Sequence, residues 1–204
     1  MKESLLVSIF TKGGFFVYPI LFCSVMALSI FLKRFYLSRM DKIITKSFLL
    51  KLETYLDSGN YDNALAFCEK DKTVFSRIVE LIIINKGKDK KYIESVVEQE
   101  AKKQLYSLSK SNEILGSLSN ISTLLGLLGT ISGMITVFKV ISTQTVVDPP
   151  SLAGGISEAL YTTAFGLLVA IPSFIGYKFL NSRVNDIAVE LEDNSKKILD
   201  RIKD

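Results

Sequence analysis

Within and beside the apolar blocks of this sequence, few residues could carry or relay a charge. Glu158 directly precedes a nineteen-residue uncharged run, Ala159–Tyr177. Thr162 and Thr163 lie inside that run, and Thr130 lies inside a second one, Ile114–Phe138, of twenty-five residues. A carboxylate can take up and release a proton. A threonine hydroxyl donates and accepts hydrogen bonds but does not titrate, so it can orient a proton or an ion without storing one. The chain has no histidine and only two cysteines, which disfavours an imidazole relay or zinc centre and rules out a disulfide scaffold. No Walker loop, no Rossmann glycine pattern and no nucleophile elbow occurs, and the carboxylates otherwise fall on charged helix faces. An enzyme is therefore not expected, nor is a bound cofactor.

The elements that must position these residues follow from the segregation of apolar sequence. The chain has 204 residues, 48% hydrophobic and 23% charged, with 25 Lys and Arg against 21 Asp and Glu. Its mean hydropathy is +0.30. So apolar a composition excludes a disordered chain, and a dispersed net charge of +4 gives no reason to expect a nucleic-acid partner. A third uncharged block, Gly13–Leu32, has twenty residues. At ~1.5 Å rise per residue each block can cross a hydrocarbon layer of ~30 Å as a helix. The expected fold is all-α: a three-span membrane protein, two of whose helices extend into a helical bundle outside the lipid. The first block ends in Lys33-Arg34 with no small-residue cleavage pattern, so it reads as a retained span, not a signal peptide.

Basic residues set the expected direction. Lys33, Arg34, Arg39, Lys42 and Lys46 follow the first span, and Lys178 and Arg183 follow the third, whereas the segment 142–156 has neither Lys nor Arg. The positive-inside rule puts the amino terminus outside and the carboxyl terminus in the cytoplasm. The resulting divisions are an external amphipathic segment over 1–12, spans over 13–33, 114–142 and 157–178, a cytoplasmic helical domain over 34–113, a short external loop over 143–156 and a cytoplasmic helical tail over 179–204. Cys23 then lies in the membrane and Cys68 in a reducing compartment, where neither needs a partner. Apolar positions recur at helical spacing through 47–60, 61–70 and 74–85, and Ile93, Val97, Ala101 and Leu105 continue that pattern toward the second span without a breaker. Leu180, Val184, Ile187 and Leu191 do the same beyond the third.

Within the membrane the small residues fall on stripes. Ser122, Gly126, Gly129 and Gly133 share one face of span two, and Thr163, Gly166 and Ala170 share one face of span three. Lipid-immersed helices associate by close packing, which small faces permit. Two readings of these stripes stand side by side: tight contact within one subunit, or the lining of a space shared between subunits with Thr130 and Thr163 as its polar groups. Glu158 and Thr162 are one turn apart, and Thr163 lies about 140° around the helix from Glu158. A carboxylate at a membrane boundary faces water or a partner. Pro172 removes one backbone donor in mid-span, as a tolerated kink or as a hinge.

At this point the chain resembles the MotA/TolQ/ExbB family, and most of all its three-span ExbB/TolQ branch. The resemblance is carried by LLGLLGTISGMITVF (Leu124–Phe138) and GGISEALYTTAFGLLVAIPSFIGY (Gly154–Tyr177), and extends more weakly through YDNALAFCEK and the Glu94–Glu98 helix. Many relatives place a proline where this chain has Thr123. Flagellar-type members have four spans and a larger cytoplasmic domain, unlike the three spans read here. The resemblance implies a homopentameric ring around a dimer of a single-span ExbD/TolR-like protein. By the same resemblance the partner's membrane aspartate would carry protons, or sodium as in some members, through an inner-membrane motor. It also implies that Thr130 and Thr163 face that aspartate, that Glu158 stands at the outer mouth and that Pro172 is the span-three proline. The work delivered would be ExbB-like import energisation, a TolQ-like envelope function, or drive for another motor. A structural scaffold that assembles a ring without ion coupling is the alternative.

Overall fold

In a computed structural model the protein is described over residues 14–40, 46–71, 73–144 and 148–203, and every regular element there is helical. The surface-lying segment expected over 1–12 is outside these residues. Six helices follow in order: α1 Val17–Met40, α2 Lys46–Asp57, α3 Tyr61–Lys70, α4 Val74–Ile84, α5 Lys90–Thr143 and α6 Pro149–Lys203. Three of them, α1, α5 and α6, are long and apolar enough to cross a membrane. The 54 residues of α5 and 55 of α6 correspond to roughly 80 Å each, more than twice a hydrocarbon layer. Neither contains the break that would separate a span from its polar extension, and α5 and α6 contribute to both of the chain's two compact units.

The spanning unit comprises α1 with the apolar parts of α5 and α6. α1 starts from a turn at Gly14, whose φ of 64° lies in the left-handed region that glycine enters without a Cβ penalty. Pro19 falls in the first turn, where its missing N–H has no partner to lose. Val17, Ile20, Cys23 and Ala27 form the buried stripe of α1, and Val17 and Ile20 pack on Phe165 and Val169 of α6. α6 begins at Pro149, so much of the stretch read as an external loop is already helix. Asp148 explains the early start: its carboxylate accepts the Ser151 amide at 3.3 Å and the Ser151 hydroxyl at 3.0 Å, and Pro149 supplies a preset φ at the first helical position. Gly154 and Gly155 do not interrupt a helix so capped.

The second unit holds α2, α3 and α4 with the polar ends of α5 and α6. Its core is Phe48, Leu52, Leu56, Ala64, Cys68, Phe75, Ile78, Val79, Ile82 and Ile83, closed by Ile93 of α5 and by Leu191, Ile198, Leu199 and Ile202 of α6. α2 stops at Gly59, φ 68°. α3 and α4 are capped by Asn60 and Thr73, whose side chains accept the amides of Asn63 and Ser76. α4 is almost wholly buried because apolar residues surround it on nearly every side: Phe75, Ile78, Val79, Ile82 and Ile83 all lie below 6% exposure. Ion pairs tie the α6 tail down, Arg201 to Glu53 at 3.3 Å and Asp200 to Lys90 at 2.7 Å.

Candidate functional site

The packing of α5 on α6 places the singled-out residues, and glycine permits it. Leu115, Leu118, Ser119, Ser122, Gly126, Gly129, Gly133 and Val137 form one buried stripe along α5. Gly133 meets Ala159, Gly129 meets Thr162, Gly126 meets Gly166, and Gly116 meets Tyr177. These pairs step in opposite directions, so the two spans run antiparallel. The approach is close: a methyl group on Gly166 would stand 2.8 Å from the Ser122 carbonyl oxygen and 2.9 Å from the Gly126 Cα. Ala170 lies in the same interface, its carbonyl accepting the Ser119 hydroxyl at 2.8 Å. Among the described residues no buried side-chain oxygen or nitrogen lacks a hydrogen-bond partner, as a low-dielectric setting requires.

The threonines divide by azimuth. Thr163, half-buried, donates across the interface to the Gly126 carbonyl at 2.8 Å. That carbonyl is also the one which, by helical geometry, faces the amide of Thr130. Thr162 is 1% exposed; its hydroxyl returns to the Glu158 carbonyl at 2.9 Å and its methyl side packs over Gly129. Thr130 is partly exposed and donates to the Leu127 carbonyl of its own helix at 2.6 Å. The structure thus brings Thr163 to the turn that carries Thr130 and turns Thr162 into the helix contact. Pro172 sits within α6 without breaking it, next to Ser173, whose hydroxyl bonds the Val169 carbonyl at 2.7 Å.

The Glu158 side chain, exposed overall, lies against the Gly14 backbone at the start of α1; a Cβ on Gly14 would collide with its carboxylate. At the other end of the span a Cβ on Gly176 would come 2.8 Å from the Phe31 ring. These two contacts make α1 and α6 parallel neighbours. Sequence reasoning missed Gly14, although its signal, paired glycines ahead of a span, was visible. It also passed over Glu113, which abuts the second uncharged block as Glu158 abuts the third; Glu113 is exposed and its carbonyl accepts the Ser117 hydroxyl at 2.9 Å. No cluster of His, Cys, Asp or Glu suited to a metal occurs among the described residues.

Large apolar side chains cover the remaining faces: Leu124, Leu128, Ile131, Ile135 and Phe138 on α5, and Leu160, Leu167, Ile171 and Ile175 on α6, are all more than 40% exposed. Surface of this kind is suited to lipid or to another apolar helix face, not to water. What the unit offers chemically is a set of hydroxyls and carbonyls between close helices, with a carboxylate at one end and no titratable group in the uncharged blocks other than Tyr161, Tyr177 at its edge, and the thiol of Cys23 and phenol of Tyr18 in the first.

In comparisons with known proteins, no curated protein matches the sequence. The solved structure of C. jejuni MotAB has a similar fold, with a TM-score of 0.63 over 98% of this chain and 91% of that one, at 16% sequence identity. The family model of the MotA/TolQ/ExbB proton channel family matches residues 68–193, which takes in α4, the polar half of α5, both glycine-bearing spans, Thr130, Thr163 and Glu158. More than half of the sequence, including every residue of the α5–α6 interface just described, thus falls within that match, and the chain belongs to the MotA/TolQ/ExbB proton channel family.

Proposed function

We propose that this chain is the ring-forming subunit of an inner-membrane motor driven by ion flow. It works with a single-span, aspartate-bearing partner of the ExbD/TolR type. The observation that carries this reading is the pairing of Thr163 with the Gly126 carbonyl on the turn that bears Thr130, in spans whose uncharged blocks hold no carboxylate and whose one carboxylate, Glu158, stands at the end of the third. Such a chain can orient an ion or a proton at mid-membrane but cannot store one, so the titrating group comes from a second protein. The amino terminus and Glu158 lie on the periplasmic side, and α2 to α4 and the carboxyl terminus in the cytoplasm. The ring is a homopentamer around a partner dimer, the ion is a proton, and the work goes to envelope import or an ExbB- or TolQ-like envelope task. The chain itself catalyses no covalent step.

Native mass spectrometry of the tagged protein, gently extracted from its own host's membrane, tests this directly. The expected species is a ring of five copies carrying a small single-span protein with a membrane aspartate. A ring that never carries a second protein would overturn the motor reading.

One observation favours a second reading. The Thr163 hydroxyl is already satisfied inside the chain, as in a scaffold whose small-residue faces serve packing alone. On that reading Thr130→Val and Thr163→Val are both silent in any energy-transfer assay.

A further inference from the structure

Away from the spans, the α4–α5 connection packs four lysines into six residues, Lys86, Lys88, Lys90 and Lys91. Three of them line a cavity of about 240 Å³, together with Gly87 and an apolar floor of Ile93, Leu199 and Ile202. Among the described residues no carboxylate lines it. Lys90 is partly compensated at the cavity's edge by Asp200, at 2.7 Å, and Asp89 stands in the same connection outside the lining. The other two ammonium groups are held by neutral partners: Lys86 Nζ lies 3.3 Å over the Tyr61 ring, and Lys88 Nζ donates to Asn85 Oδ1 at 2.8 Å and lies 4.7 Å over the Tyr92 ring. These contacts fix the positions of two positive charges without cancelling either. An apolar floor beneath them lowers the local dielectric and strengthens their pull on an anion.

We propose that the Lys86–Lys88–Lys90 cavity is a binding site for an oligophosphate anion. The donor set selects the class. Lysine ammoniums bind phosphate as point charges, whereas planar carboxylates are matched by the arginine fork, and the lining contains no arginine. Two uncompensated cations and one half-compensated cation call for an anion of more than one charge. The apolar floor also accommodates a non-phosphate part, so the source is either free oligophosphate or a nucleoside polyphosphate. Gly87 turns the chain between Lys86 and Lys88 with a φ of 93°, a left-handed conformation that glycine enters without a Cβ penalty.

Isothermal titration of the full-length protein in detergent, at near-physiological salt, uses tripolyphosphate and a nucleoside triphosphate as separate probes. Saturable binding of one anion per chain is expected, weakened at least about five-fold by Lys86→Gln or Lys88→Gln and further by Lys88→Glu. Lys51→Glu, an exposed lysine on α2, controls for net charge and leaves affinity unchanged. Tighter binding of the nucleoside probe assigns the floor to its base or sugar, and equal binding assigns the site to phosphate alone; both uphold it. Absence of saturable binding to the unmodified protein, or an equal loss in Lys51→Glu, overturns the site. Retained helicity and unfolding midpoint of the Gln variants show that any loss is not one of folding.

Discussion

The hydroxyl of Thr163 on α6 donates to the backbone carbonyl of Gly126 on α5 at 2.8 Å, across 37 residues of sequence. Gly126 and above all Gly166, where a Cβ would stand 2.8 Å from the Ser122 carbonyl oxygen, let the two backbones come close enough for a hydroxyl carried on Cβ to reach over. The bond does two things: it locks the axial register of the two spans, and it points the polar atom of Thr163 at the turn that carries Thr130.

Replacing Thr163 by Val keeps the shape and removes the donor. The Gly126 carbonyl retains its place in the α5 ladder, so the expected stability loss is only about 1 kcal/mol. Membrane insertion and ring assembly should survive while energy transfer is abolished, and Thr163→Ser should restore it. Full activity of Thr163→Val in an ion-driven transport or envelope-integrity assay would remove Thr163 from the ion path.

Gly166→Ala and Gly154→Ala separate packing from propensity. At Gly166 the added methyl meets the backbone of Ser122 and Gly126, which cannot turn aside, and overpacking of this kind costs roughly 1–3 kcal/mol. At Gly154 it meets nothing within 4 Å, so relief of helix-interior glycine should stabilise by about 0.5–1 kcal/mol. Thermal unfolding of the two variants in detergent should move in opposite directions.

The parallel seating of α1 beside α6 predicts a cross-link. A Cβ built on Gly14 lies 3.2 Å from Glu158 Cγ, within the reach of a disulfide. Gly14→Cys carries a left-handed backbone cost of about 1–2 kcal/mol, and combined with Glu158→Cys it should still oxidise to an intrachain bridge, seen as altered mobility on non-reducing gels. Pairing Gly14→Cys with Leu160→Cys, an exposed neighbour on another face, should give no such bridge.

Burial, reinforced by the charges of Glu80 and Asp71, pushes the Cys68 thiol up from 9.0 to about 12. The folded state then keeps its proton while the unfolded state loses it, so this group draws stability down as pH rises from about 9 toward 12 and has no effect below that window. Alkylation of Cys68 at pH 8 should be slow in the native protein and fast after denaturation. Cys68→Ser should flatten the alkaline decline; an unchanged decline would assign it to other groups.

Much of this architecture is local and therefore readable along the chain. Three apolar blocks, the absence of breakers between Lys90 and the second span, and the small-residue stripes are periodic properties of single helices, and a helix forms with that period whatever it later packs against. The family resemblance was legible for the same reason, because its motifs lie within two spans. The sequence by itself therefore determined an all-α chain of three spans with polar helical extensions, and the faces those helices would use.

Only the tertiary structure decided which atoms meet. Thr162 and Thr163 are adjacent and chemically identical, yet one is buried against Gly129 and the other reaches Gly126, because their partners depend on the rotation and axial offset of a second helix. Glu158 rests on Gly14 through the same kind of offset, with α1 as the neighbour. The start of α6 at Pro149 rested on an Asp148 cap outweighing two glycines, a balance that composition alone does not settle. The lysine cavity joins residues 86–93 to Leu199 and Ile202, from opposite ends of the unit's sequence. Helical period is encoded residue by residue, whereas register and contact are set by packing between segments far apart in the chain.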